Sequence, residues 1–403
     1  MSITAAELQA ALAVRDLSDP AAGPHAIQLI VDEIWRALSA AWPSTQVRVR
    51  RDHPVVSLAD NYDDLGYAPG AVTRDARYTR YVDAGHVLRS HSSAMIPPAL
   101  RELAAEPDQD DVLLVCPGIC YRRDSVDWQH TGTPQQLDLW RITRMQRCDG
   151  DDLLAMIGYV VQAVLPGAEW RAVPTAHPYT VGGRQIDVLW RGEWIEIGEC
   201  GVASPDVLRR AGLETGLDAR LRNGWSGLAM GLGLDRLLML RKGIPDVRLL
   251  RSADPRVASQ MLDLAPYRTV SQMPPVRRDL SVVVDAGTDL TPEALGDRVR
   301  AALGPEADAA ELVEVRSVTR YDDLPPAARD RLGIEPGQLN LLLRLVLRPV
   351  DRTLTDAEAN VLRDRVYAAL HRGSIAQWAH VRSEFAGHVV GGGALTPESR
   401  GGA

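Results

Sequence analysis

Apolar and polar positions follow two rhythms along this chain. From His25 to Trp42 the residues Ile27, Ile30, Val31, Ile34 and Leu38 recur at helical spacing, which predicts an amphipathic helix with one face in a core or interface. Residues 5–16 (AAELQAALAVRD) read as a shorter helix, broken by Ser18, Asp19, Pro20 and Gly23-Pro24. VRVRRDHPVVSL, ending at Leu58, reads as a strand with a turn at His53-Pro54. Strand-like runs then dominate. DDVLLVCPGICYRR (110–123) is a hairpin candidate, and the alternating QLDLWRITR (136–144) is placed to pair with it. DDLLAMIGYVVQAVL (151–165) predicts a helix, RQIDVLWRGEWIEIGECG (184–201) a hairpin turning at Arg191-Gly192, and SPDVLRRAGL (204–213) a helix capped by Ser204. GLAMGLGLDRLLMLRKGI (227–244) begins as a Gly-rich strand and becomes a helix ending at Gly243. Strands joined mainly through hairpins predict an antiparallel sheet with flanking helices, an α+β class.

Beyond about residue 252 the rhythm becomes strand (277–285), helix capped by Thr291 (291–303), strand (311–323), a Pro/Gly-punctuated loop, strand (338–348) and helix (355–371). This β-α-β-β-α order is that of a ferredoxin-like α/β sandwich. The tail GGGALTPESRGGA (391–403) lacks the apolar residues needed for a core. No internal repeat is present. The expected organisation is an N-terminal helical extension (1–21), a first domain (22–251), a linker (252–272), the ferredoxin-like domain (273–375) and a tail (376–403).

Composition narrows the function classes. The formal charge is −8 over 403 residues, so no wholesale nucleic-acid binder is advertised, although a local basic face remains open. No apolar run approaches the ~20 residues of a membrane span. No signal or transit pattern opens the chain, which predicts a cytoplasmic protein. Cys116, Cys120, Cys148 and Cys200 form no C-x-x-C pair and no His cluster completes a zinc set, so they read as reduced structural cysteines. Neither G-x-G-x-x-G nor a Walker A sequence occurs.

Three stretches carry candidate chemistry. GICYRRDSVDWQH (118–130) puts two arginines and an acid at a hairpin bend, EWIEIGECG (193–201) puts Glu196 and Glu199 on a strand, and GLGLDRLLML (231–240) places Arg236 after glycines. Glycines let a nucleotide approach the backbone, and an arginine there can reach a phosphate. Singly each is weak: an arginine-rich turn is usually a solvated loop, and G-L-G-L-D-R usually packs helix on strand.

Together and in this order they resemble the motifs of class II aminoacyl-tRNA synthetases of the phenylalanyl-tRNA synthetase family. YRRDSVDWQHTGTPQQLDLWRI (121–142) is similar without gaps to motif 2 of the single-chain organellar form, and GLAMGLGLDRLLMLRKGIPDVR (227–248) to motif 3. LRSHSSAM (88–95) resembles the family's L-R-x-H-T-S, and WIEIGECGVASPDVLRRAG (194–212) its W-L-E-V-L-G-C-G segment. PPVRRDLSVVV (274–284) and DRTLTDAE (351–358) resemble parts of its ferredoxin-like anticodon-binding domain. The resemblance covers roughly residues 22–372.

It implies that ATP and an amino acid give an aminoacyl adenylate, whose acyl group then moves to tRNA. Arg122 matches the arginine on the α-phosphate and Arg236 the one near the γ-phosphate. Asp124 and Glu196 fall in the ATP region, with Glu196 expected near Mg²⁺. His91 and Ser93 match residues that orient the amino acid, and Gln136 and Asp138 those that hold its ammonium. Arg277, Arg278, Arg348 and Arg352 are candidate tRNA contacts, interleaved with acids such as Asp279 and Glu358. The layout is compatible with a monomer or a homodimer, the helix at 25–42 lying where class II enzymes place a dimer motif.

The departures from the family cluster at the amino-acid pocket. Its F-P-F appears as His177-Pro178-Tyr179, its ammonium-binding Glu as Asp138, a glycine as Glu199 and an adenine-stacking Phe as Pro134, while Ala229 keeps the small residue at the pocket base. The single Phe is Phe385. Exchanging aromatic faces for hydrogen-bonding edges predicts a polar or hydroxylated amino acid in preference to phenylalanine. If Glu199 faces the pocket a cationic group is favoured, but strand alternation leaves its direction open. Two other readings stand: adenylation with a non-tRNA acceptor, and a catalytically silent tRNA-binding protein.

Overall fold

The computed structural model describes residues 2–76, 78–123, 125, 127–216, 224–270, 274–349 and 352–376. Asp124, Asp351 and Phe385 lie outside these, as do residues 377–403. In chain order the strands of the first unit are β1 (Gln46–Val49), β2 (Val55–Ser57), β3 (Arg80–Tyr81), β4 (His86–Leu88), β5 (Asp111–Ile119), β6 (Gln135–Thr143), β7 (Trp170–Pro174), β8 (Thr180–Trp190), β9 (Glu193–Ala203) and β10 (Ser226–Gly233). A seven-stranded sheet runs β1-β5-β6-β10-β9-β8-β7, and β2-β4-β3 form a small separate sheet. The stretch ending at Leu58 is thus divided at His53-Pro54 between two sheets. The large sheet is antiparallel as expected except at its edge, where β1 runs parallel to β5; the sheet is therefore mixed.

Every residue of β5 is buried, because helices cover both faces of the sheet there. On one face α2 (Ala26–Ala41), α4 (Gly150–Val164) and α6 (Leu234–Lys242) set Ile30, Ile34, Ile157 and Leu238 against Leu113, Val115 and Leu139. The apolar stripe of α2 is therefore buried within its own chain. On the other face α3 (Ile96–Ala104) and α5 (Pro205–Arg210) set Leu100 and Leu208 against Val112, Leu114 and Trp140. The hairpin between β8 and β9 turns where expected. Arg191 and Gly192 both have positive φ (51° and 87°), the pairing whose twist suits a two-residue hairpin.

Helix α1 (Ala5–Leu12) packs Leu8 and Ala11 against Leu88, Ile119 and Tyr121. Asp16 then accepts from the Ile119 and Ser18 amides at 3.0 and 2.9 Å, tying the N-terminal segment to the end of β5. After α6, the short helix α7 (Pro255–Ala258) keeps Val257 in the first core. Lys242, the sole lysine, donates to Asp263 Oδ1 and to the Ala265 carbonyl at 2.9 and 2.6 Å.

The second unit has its own core. β11 (Val276–Asp285), α8 (Pro292–Leu303), β12 (Ala310–Arg320), α9 (Pro326–Leu332), β13 (Gln338–Leu347) and α10 (Asp356–Leu370) form an antiparallel sheet ordered β11-β13-β12. Leu280, Val282, Leu343 and Leu345 face Leu295, Val299, Leu362 and Val366 of the helices. This is the strand–helix order of a split βαβ unit. The segment read as a plain loop holds α9: Pro326 sits at its first turn and Gly333 closes it at φ 56°. Leu332 then packs with Val283 and Leu324. The units touch where Asp297 of α8 meets Arg80 (3.2 Å) and Arg123 (3.4 Å).

Candidate active site

Side chains alternate across a strand, so Gln136, Asp138 and Trp140 of β6 leave the sheet on one face. Register extends that face sideways. Asp138 pairs with Gly231 of β10, and Gly231 with Glu199 of β9. Glu196 and Glu199 are an odd number of residues apart and would face opposite ways on a regular strand. A β-bulge removes the conflict: Gly198 pairs with Ile186 but Glu196 with Asp187, leaving Ile197 as the extra residue. Ile195, Ile197 and Cys200 join the core. Both glutamates line a cavity of about 380 Å³ on the other side.

Two arginines line this cavity. Arg122 anchors its Nε on the Ser90 carbonyl at 2.7 Å, which leaves its terminal nitrogens for the cavity. Arg236 opens α6, donates Nη1 to the Glu196 carbonyl at 2.6 Å and has a buried Nε without a partner. Burial raises the Glu196 carboxyl, against the pull of Arg236. No cluster of three metal-ligating side chains occurs among the described residues. A Mg²⁺ arriving with a nucleotide needs only one or two carboxylates beside its phosphates, which Glu196 fits. Pro134 lines this region, where it offers no stacking ring.

Asp138 is buried, within reach of the Arg122 charge, and accepts from Ser92 Oγ (2.8 Å), Ser93 Oγ (2.9 Å) and Trp140 Nε1 (3.2 Å). Burial raises its carboxyl, and those donors oppose the rise. Gln136 accepts from the Ser92 amide at 3.2 Å. His91 stacks on Tyr67 (centroids 5.6 Å apart), and burial with the nearby Arg122 charge lowers its ring to about 3. A neutral His91 has no aligned hydrogen-bond partner on either ring nitrogen, its polar neighbour being the Asn61 backbone. Tyr179 lies 6.2 Å from both Tyr67 and Trp140 and 5.6 Å from His177. His177 does not line the cavity itself; its Nε2 lies 2.9 Å from Glu199 Oε2. Ala229 stands off the cavity wall, packed with Trp140 and Tyr179 in the core beneath α3 and α5. The bulkier Trp140, next to it in register, takes the space.

The structure thus gathers Arg122, Arg236, Glu196, His91, Ser93, Gln136, Asp138, Tyr179 and Glu199 around one cavity. Sequence reasoning missed Ser92, Tyr67, Trp140 and Asp235. Tyr67 belongs to an irregular stretch with no period to read, whereas Asp235, beside Arg236 in the glycine-rich motif, was open to notice. The four candidate tRNA-binding arginines, Arg277, Arg278, Arg348 and Arg352, do not form a free basic patch. Arg278 pairs with Asp356 (2.7 Å), Arg348 with Glu311 (2.5 Å) and Arg352 with Glu358 (2.8 Å). Arg277 is exposed and has no ion pair among the described residues.

A chain of this fold, with paired arginines and carboxylates in a cleft over a mixed sheet, invites comparison with nucleotide-dependent ligases. The family described as tRNA synthetases class II core domain (F) matches residues 23–261, more than half of the chain, and the chain belongs to this family of ligases. The chloroplastic/mitochondrial phenylalanine–tRNA ligase of Arabidopsis thaliana is 26% identical over 358 residues, covering 85% of this chain and 75% of its own. The phenylalanine–tRNA ligase alpha subunit of Prochlorococcus marinus is 32% identical over 200 residues, covering 50% of this chain and 56% of its own. The chain thus spans about half the length of that subunit. A solved pyrrolysyl tRNA synthetase from Desulfitobacterium hafniense is 19% identical with a TM-score of 0.40, over 56% of this chain and 73% of that one. No helix among the described residues is long and apolar enough to cross a membrane.

Proposed function

We propose that the chain activates an amino acid with ATP and transfers it to tRNA. The carrying observation is the convergence of Arg122, Arg236, Glu196 and Asp138 on one cavity. In the first step a carboxylate oxygen of the amino acid attacks the α-phosphorus, and the bond to pyrophosphate breaks. In the second, an acceptor hydroxyl takes the acyl group and AMP leaves. Arg122 binds the α-phosphate and Arg236 the far end of the triphosphate, stabilising charge as it develops. Mg²⁺, held through Glu196, would neutralise the phosphates. Asp138 and Gln136 hold the α-ammonium. Three donors already occupy Asp138, and a carboxylate has about four lone-pair sites, so one acceptor position remains for it. His91 and Ser93 position the amino acid, Ser93 by fixing Asp138.

The wall formed by Tyr179 and Glu199, with His177 behind it, supports a polar side chain over phenylalanine, since a phenyl ring would offer the Tyr179 hydroxyl and the Glu199 carboxylate no partner. tRNA as acceptor rests on the relatives' names. The ion pairs at Arg278, Arg348 and Arg352 leave a non-tRNA acceptor as the second reading, one that tRNA charging decides. Amino-acid-dependent ATP–pyrophosphate exchange over a broad panel tests the first step. We expect exchange with a polar amino acid and its loss by at least about 100-fold in Arg236→Ala. Absence of saturable ATP binding sinks the ligase reading.

A further inference from the structure

We propose that the amino acid activated here carries a cationic nitrogen in its side chain, and that Glu199 is the group that selects it. This rests on the reading of the cavity as an amino-acid-activating site. The sequence leaves the direction of Glu199 open, and the sheet register closes the question. Asp138, Gly231 and Glu199 stand in one transverse row, and residues of one row share a face. The same parity puts Trp140, Ala229 and Ala203 in one apolar cluster, so the row faces the cavity side throughout. Gly231 between them has no side chain. A Cβ there would sit 3.7 Å from Asp138 Oδ2, so the space between the two carboxylates stays open.

The two acids stand two strands apart, about 10 Å between their backbones. That is the span of an amino acid with its α-ammonium at one acid and its side-chain terminus at the other. Their surroundings differ. Asp138 is compensated by three neutral donors, and one α-ammonium completes it. Among the described residues Glu199 has a single ion-pair contact, His177, and no arginine or lysine pairs with either acid. That contact, 2.9 Å from His177 Nε2, lacks the alignment of a hydrogen bond. Any side chain filling this end excludes water from Glu199, and an uncompensated buried carboxylate is strongly disfavoured. A cationic nitrogen removes that penalty, while the ring of Tyr179 covers the apolar stem of such a side chain.

The test is pyrophosphate exchange with matched pairs: lysine and norleucine, ornithine and norvaline, arginine and citrulline, 4-(aminomethyl)phenylalanine and phenylalanine. In at least one pair the cationic member should have a kcat/KM about 100-fold above its neutral partner. Glu199→Gln should bring that pair to within about tenfold, chiefly through the KM of the cationic member. ATP titration of the variant checks that it is folded. Better turnover of the neutral members, or a ratio unchanged in Glu199→Gln, overturns the proposal and leaves the ligase reading intact. ATP binding with no exchange for any cationic member overturns it as well. Absence of both ATP binding and exchange removes the ligase reading and this inference with it.

Discussion

Single residues here carry charge into places where water cannot follow, and Asp235 is the clearest case. Its carboxylate accepts the Gln135 amide next to the cavity, and burial raises its pKa to about 6, opposed by Arg251. The folded state therefore holds the proton more tightly than the unfolded chain does. The stability this contributes is full below about pH 4 and is lost as pH rises through about 6. Asp235→Asn keeps an acceptor for the Gln135 amide and removes the ionisation. Relative to the native chain, the variant should gain about 2 kcal/mol between pH 4 and pH 7. Urea unfolding of both proteins across that range measures it, and a difference that stays flat with pH refutes the burial argument. The arginines and acids of the cavity were legible in the sequence because they sit in compact motifs. Tyr67 and Ser92 were not, since they act through contacts with His91 and Asp138 made by irregular backbone.

At the scale of elements, what shapes the site is a departure from regularity. IEIGEC reads as plain alternation, and nothing in it marks Ile197 as the residue outside the ladder. Without that bulge one of the two glutamates would point into the core. Long periodic elements such as α2 and α4, and the Arg191-Gly192 hairpin, were readable because period and turn chemistry are local. The bulge, the parallel β1 edge and α9 depend on what lies beside them in space. Gly198, next to the bulge, gives a test at this scale. A Cβ there would lie inside contact distance of the Gly231 carbonyl and 2.9 Å from the Leu232 side chain. Gly198→Ala should force β9 from β10 and cost about 1–3 kcal/mol of stability. It should also raise the amino-acid KM by widening the row from Asp138 to Glu199. Thermal unfolding together with exchange kinetics reads both effects, and an unaltered Tm and KM would show that the strands have room to spare.

Across the whole molecule, the question is how the second unit serves the first. Arg348 is bound by Glu311, and its carbonyl accepts from Arg248, whose Nη1 also reaches the Asp308 carbonyl at 2.7 Å. Arg348 thus braces the junction of the two units. Arg278 and Arg352 are likewise engaged with α10 and its first turn. Arg277 is different: it leaves β11 on the side opposite the core residues Leu280 and Val282, the face where Arg344 meets Asp279. A phosphate backbone crossing the exposed part of that face, at Arg277 and Asp279, would meet Arg277 directly, whereas an ion-paired arginine must first give up its carboxylate. Each phosphate contact contributes about 0.7–0.9 to the slope of log affinity against log salt. If tRNA crosses this face, Arg277→Ala should weaken tRNA retention and flatten that slope by close to one contact. Arg352→Ala, losing a guanidinium already neutralised by Glu358, should change it less. Filter binding over a range of salt concentrations compares the two. Equal slopes for both variants would move the RNA path off this face, and a native slope near zero would remove tRNA from this domain and strengthen the reading with a different acceptor.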